Sequence, residues 1–263
     1  MKPSPIRRPA VAGSFYPNDP AELRDMIAGF LKQAKPSGVV PKAVIAPHAG
    51  YIYSGPIAAS AYAQIAPARG KIKRVILLGP SHRVPFRGLA ATSADAFATP
   101  LGNIPIDKDA FDQIKDLPQV EVIDSAHAME HSLEVHLPFL QEVLGDFRLV
   151  PLAVGDATGE DIAEVLDVLW GGPETLIVIS SDLSHDKSYA TARKMDQAVS
   201  NAIEALQPER IEYDQACGRM PIVGLLLSAR KHGLRAKTVD LRNSQDTTGP
   251  GPRIVGYGAW AFT

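Results

Sequence analysis

The sequence predicts an α/β protein, a three-layer α/β/α sandwich around a mixed central sheet. Short apolar runs alternate along the chain with segments of helical periodicity, which implies strands covered on both faces. Three of those runs, Ala43 to Ala46, Val75 to Leu78 and Leu176 to Ile179, are followed closely by a histidine. No internal repeat or linker divides the 263 residues, so one domain spanning 1–263 is expected.

After an N-terminal arm, Asn18 or Asp19 with Pro20 marks a helix start, and Leu23, Met26, Ile27, Phe30 and Leu31 form an apolar stripe. Pro36, Ser37 and Gly38 end it. Ala43 to Ala46 reads as the first core strand, stopped at Pro47, and Pro56 to Ile65 as a small-residue helix. The strand Val75 to Leu78 follows. Between Phe86 and Ile106, short alternating pieces with turn residues predict a hairpin beside the main sheet. Asp107 to Leu117 reads as helix, Val120 to Ile123 as extended, and Glu130 to Leu144 as a helix broken or re-entered at Pro138. Strands at Arg148 to Val154 and Leu176 to Ile179 flank a helix at Gly159 to Leu169. Helices at Ala190 to Leu206 and from Asp214 or Ala216 to His232 precede two closing strands, Arg235 to Leu241 and Ile254 to Phe262.

In an open α/β sheet, ligands collect beyond the carboxyl ends of the strands. His48, His82 and His185 are all delivered there, and Pro47 and Pro80 stiffen two of the turns. Any one imidazole alone also has the ordinary role of satisfying a buried carbonyl. Cys217 lies at the opening of a helix, where the positive end of the macrodipole favours thiolate; the alternative is a small buried apolar residue. The stretch Glu130-HSLEVH-Leu137 is not a zinc-protease motif, because His131 and His136 are five apart. On a helix His131 and Glu134 share a face, which makes them groups around a site or solvent-facing residues. Ser181, Asp182, Ser184 and His185 are too close on one loop for a hydrolase triad.

With 27 basic and 29 acidic residues, the net charge of -2 gives no electrostatic argument for nucleic acid. The single cysteine excludes an internal disulfide framework. The N-terminal stretch lacks the apolar segment of a signal peptide, and no run approaches the roughly 18 to 20 apolar residues of a membrane helix. A soluble, cytoplasmic protein without membrane association is expected.

The segments AGSFYP, APHAGYIYSG, LLGPSH, EHSLEVHLPFL, SSDLSH and ACGRMPI, in this order over nearly the full length, resemble the Memo family, protein B of the AmmeMemoRadiSam system in prokaryotes. That family is similar in fold to the type III extradiol dioxygenases, which open aromatic diols with non-haem Fe(II). The resemblance implies metal ligation by His48, His82 and Cys217, with Asp182 and His185 in the same pocket. It also implies association with AMMECR-type and radical SAM proteins. A thiolate is softer than the carboxylate of the dioxygenase triad, so Cu or Zn competes with Fe(II).

Phe15, Tyr16, Tyr51 and Tyr53 offer an aromatic wall for a small planar substrate or a peptide, or pack over a helix layer; Arg219 offers an anion contact. Three functions are therefore expected to compete. One is a metal-dependent, dioxygenase-like oxidoreductase with His185 as general acid/base. Another is a peptide- or protein-binding module on a vestigial pocket. The last is a hydrolase using Cys217 as nucleophile, with His185 or His82 as base.

Overall fold

The computed structural model describes residues 5–263. Four parallel strands form its centre, in the spatial order Ala43–Ala46, Thr175–Ser180, Arg74–Pro80 and Arg148–Val154. Ile254–Phe262 pairs antiparallel with Ala43–Ala46 and carries the antiparallel strands Ala236–Asn243 and His185–Lys187. On the other side Leu89–Ala91 runs antiparallel to Arg148–Val154, and Val120–Val122 completes the edge. The sheet is thus mixed, as the sequence predicts.

The strand period of two sends alternate side chains to opposite faces, and both faces are covered. Val44, Val75, Leu77 and Val178 pack with Leu23, Ile27, Ile57, Tyr62 and Leu140. Ile45, Ile76, Leu78, Ile177 and Ile179 pack with Ile162, Leu166, Val199, Ile203 and Leu225. The first set draws on the helices Pro20–Gln33, Tyr51–Ile65 and Leu137–Leu144; the second on Gly159–Val168, Tyr189–Glu204 and Arg219–His232. This is the three-layer sandwich. Burial on both sides is why the central strands read as unbroken apolar runs.

Two local differences from the sequence reading bear on function. The helix expected from Pro56 begins earlier, at Tyr51, with Gly50 before its first turn. Pro56 is tolerated inside it because the carbonyl it cannot serve belongs to Ile52, which is exposed to water. The expected hairpin is Ala96–Thr99 with Gly102–Pro105, and it pairs with the arm residues Ile6–Arg7 in a separate small sheet, whereas Leu89–Ala91 joins the main one.

His127 is buried against Phe97, with Nε2 2.8 Å from the Ala90 carbonyl, to which it donates. Burial pushes its pKa down to about 4, outweighing that hydrogen bond. The folded value lies below the unfolded one of about 6.5, so this contribution to stability is complete above pH 6.5 and is lost as pH falls toward 4. The shift corresponds to about 3 kcal/mol. Urea midpoints at pH 7 and pH 4.5 are expected to differ less in His127→Gln than in the parent, because one proton uptake on unfolding has been removed.

Candidate metal centre

Because Ala43–Ala46, Thr175–Ser180 and Arg74–Pro80 are adjacent and parallel, their carboxyl ends finish on one edge, with Ala46 in register with Ser180. The next residues therefore meet. His48 and His82 have ring centroids 5.2 Å apart, and His131 joins them at 5.4 Å from His48 and 4.6 Å from His82. One nitrogen from each ring lies within 4.8 Å of the other two. His131 comes from the four-residue helix His131–Glu134, which Glu130 caps by accepting the Ser132 N–H at 2.9 Å.

Each of the two strand-end histidines has its Nδ1 engaged away from the cluster. His82 Nδ1 lies 2.8 Å from Glu130 Oε1, and the His82 amide donates to Oε2 of the same carboxylate. Burial alone would raise the Glu130 pKa; the His82 ring and the His82 and Ser132 amides outweigh it and hold the carboxyl down at about 2. An ionised Glu130 keeps the proton on Nδ1 and leaves Nε2 free. His48 Nδ1 lies 2.7 Å from Ser180 Oγ, while its Nε2 is 3.3 Å from Cys217 Sγ and 3.9 Å from Asp182 Oδ2. Burial, then the neighbouring His82 and His131, lower the His48 pKa and keep its ring neutral.

Cys217 is laced to the strand end. The Asp182 amide lies 3.3 Å from its sulfur, the Cys217 amide donates to the Asp182 carbonyl at 3.3 Å, and the Gly218 amide donates to Ser181 Oγ at 2.9 Å. The helix itself begins only at Arg219. The expectation of a thiolate favoured by the helix dipole is corrected: burial, reinforced by Asp182, pushes the thiol up to about 12. Desolvation outweighs a dipole that starts two residues further on. Asp182 accepts the His48 amide at 2.8 Å, yet burial raises its pKa as well.

Phe15 packs on His131 with ring centroids 4.9 Å apart. Phe15, Tyr53, His131, Asp182, Arg253 and Tyr257 are among the residues around a cavity of about 740 Å³. His185 is exposed, on the edge strand beside Val255.

The remaining expected groups lie elsewhere. Tyr16 is buried with its hydroxyl donating to Glu134 at 2.7 Å, and Tyr51 is buried with its hydroxyl on the Val135 carbonyl. Both pack in the core, where their apolar rings are shielded and their hydroxyls satisfied. Glu134 does not share a destination with His131. Its carboxylate is buried against Arg7 and accepts the Ala10 and Val11 amides at 2.8 and 3.0 Å, anchoring the N-terminal arm. Arg219 donates to the Ile211 carbonyl at 2.7 Å, so its guanidinium braces its own loop. The cation on the cavity wall is Arg253.

Sequence reasoning passed over Glu130, Ser180 and His136. The available signal for Ser180 was a hydroxyl closing an otherwise apolar strand, TLIVIS. Glu130 gave a weaker one, as an acidic residue directly before a helical turn.

The donor set fits a transition metal: three imidazole nitrogens converge, and a thiol and a carboxylate lie 3.3 and 3.9 Å from His48 Nε2. His48, His82 and His131 could hold the ion, with the Cys217 sulfur and the Asp182 carboxylate next to His48.

A family model described as Memo-like protein matches residues 7–261. A MEMO1 family protein of Aquifex aeolicus is 38% identical, covering 96% of this chain and 97% of its own. Another, of Methanopyrus kandleri, is 35% identical over 97% of this chain and 98% of its own. Among solved structures, the uncharacterized protein JW3007 from Escherichia coli K12 superposes with a TM-score of 0.53 at 11% identity, covering 83% of this chain and 98% of that one, a likeness of fold alone. With near-complete coverage by the family model and by relatives above 30% identity, the chain belongs to the Memo family.

Proposed function

We propose that this Memo-family chain is a metal-dependent oxidoreductase of the dioxygenase-like kind, acting on a small oxygenated or aromatic substrate. The convergence of three imidazole nitrogens beside a cysteine sulfur, next to the cavity, carries the reading. His48, His82 and Cys217 are its ligands. Fe(II) is the first candidate, with Cu or Zn competing because sulfur is soft. Once bound, such an ion supplies Lewis acidity and, for iron or copper, one-electron chemistry.

The protein's own part follows from the geometry. Phe15, Tyr53 and Tyr257 give the cavity aromatic walls for a planar substrate, and Arg253 places positive charge on its wall. Ligation needs the Cys217 proton to leave, so metal uptake releases protons and strengthens with pH. His185, exposed on the edge strand beside Val255, is assigned as the general acid/base.

Anaerobic iron loading followed by elemental analysis tests the assignment. Wild type is expected to take up one equivalent and His48→Ala or His82→Ala close to none. Unchanged stoichiometry in His48→Ala would defeat it.

A second reading, a peptide-binding module, is favoured by one observation: the cavity-lining residues Ile52 and Tyr53 are exposed. It predicts peptide affinity that survives stripping of the metal, which calorimetry on metal-free protein measures. A Cys217 nucleophile gains no support from a thiol held at about 12.

A further inference from the structure

Behind His48 lies a buried polar chain that the proposed chemistry does not use. Ser180 Oγ has three partners: the Ser132 carbonyl at 2.6 Å, His48 Nδ1 at 2.7 Å and His136 Nε2 at 2.8 Å. His136 Nδ1 in turn meets the Tyr62 hydroxyl. Ser180, His136 and Tyr62 are all fully or almost fully buried.

We propose that Ser180, His136 and Tyr62 are positioning residues that fix His48 as its Nδ1–H tautomer and so direct its Nε2 lone pair at the metal centre. The proposal rests on the metal-centre reading for its purpose, and on donor counting for its content.

A hydroxyl has one proton and two lone pairs. The Ser132 carbonyl only accepts, so the Ser180 proton goes there. Both lone pairs of Ser180 must then receive N–H groups, one from each ring. That places hydrogen on His48 Nδ1 and on His136 Nε2. His136 Nδ1 is left as an acceptor, which the Tyr62 hydroxyl fills. Each hydrogen on the chain then has one acceptor, with Ser180 Oγ giving one and receiving two. Turning the Ser180 proton toward either ring would leave the buried Ser132 carbonyl without this donor.

The same chain distinguishes a tautomer lock from a proton relay. Tyr62 sits within the core, with its ring stacked on Phe139 at 5.1 Å. The path ends there, away from water, so a proton passed along it has nowhere to go. The network also ties the three histidine-bearing segments together. Ser180 ends the strand beside His48's, Ser132 follows His131, and Ser132 Oγ donates at 2.8 Å to the carbonyl of Pro80, two residues before His82.

Long-range proton–nitrogen correlation NMR on metal-free protein, with imidazoles labelled in nitrogen-15, reads the proton positions. Wild type is expected to show His48 protonated at Nδ1 and His136 at Nε2. In Ser180→Ala, His48 is expected to shift toward the Nε2–H form, and the metal Kd to rise about 10- to 100-fold.

Finding His48 protonated at Nε2 in wild type, or an unchanged His48 tautomer in Ser180→Ala, would overturn the proposal. The wild-type spectrum decides even if Ser180→Ala fails to fold. Because the tautomers are read without metal, wild type that takes up no ion but shows the expected spectrum removes the metal-centre reading while the lock stands.

Discussion

Arg7→Ala is expected to destabilise the protein by about 3–5 kcal/mol, the usual cost of stranding one member of a buried ion pair. In a chain of this size that is a fall in Tm on the order of 10 °C. The guanidinium does three things at once: it pairs with Glu134, donates through Nε to the His127 carbonyl at 3.0 Å and donates to the Glu130 carbonyl at 2.7 Å. Glu134 is 0% exposed and Arg7 6% at their side chains, so water cannot replace the lost partner. The carboxylate would keep the Ala10, Val11 and Tyr16 donors but not its compensating charge. The double variant Arg7→Met/Glu134→Gln should recover part of the loss, since no charge is then left buried. Equal losses in the single and double variants, measured by urea unfolding, would show that packing rather than charge sets the effect.

The second large effect is expected at Gly218, for a different reason. Its backbone is ordinary, with φ of -92°, so alanine is not excluded by conformation. The obstacle is space: a Cβ there would lie 2.4 Å from the Ser180 carbonyl oxygen and 2.6 Å from Ser181 Cβ. Those atoms close a central strand and cannot yield without moving Ser180 itself. Gly218→Ala should therefore cost about 1–3 kcal/mol and push Cys217 away from His48. Gly29→Ala is the matched control, in mid-helix with nothing within 4 Å of the new Cβ, and is expected to be neutral or slightly stabilising. Loss of metal affinity in Gly218→Ala but not in Gly29→Ala would tie the cysteine's placement to this contact. Parallel behaviour would refute it.

The contrast between these residues explains what the sequence disclosed. Central strands were legible because burial on both faces leaves a local signature, and His48 and His82 were legible because a strand end is a local event. The part played by Glu134 was hidden, since its partner Arg7 lies 127 positions away and neither residue marks the other. His131 was ambiguous for a related reason: its helix is one turn long, and Glu130 and the docked arm orient it rather than any periodicity. Tyr16 and Tyr51 were ambiguous because an aromatic over a helix layer and an aromatic beside a cavity have the same spacing. Cys217 lies beside His48, but its protonation state depends on desolvation, which only the packed molecule reveals.

Cys217 and His48 are 169 positions apart, and Glu130 reaches His82 across 48. On the proposed reading, an ion would find these donors together only after the sheet has closed. Capture would follow folding, and the ion would bind the native state almost exclusively. Its free concentration then sets an added margin against unfolding that grows with the logarithm of supply. Cells starved of the right metal would hold a looser, more rapidly degraded pool of the same polypeptide.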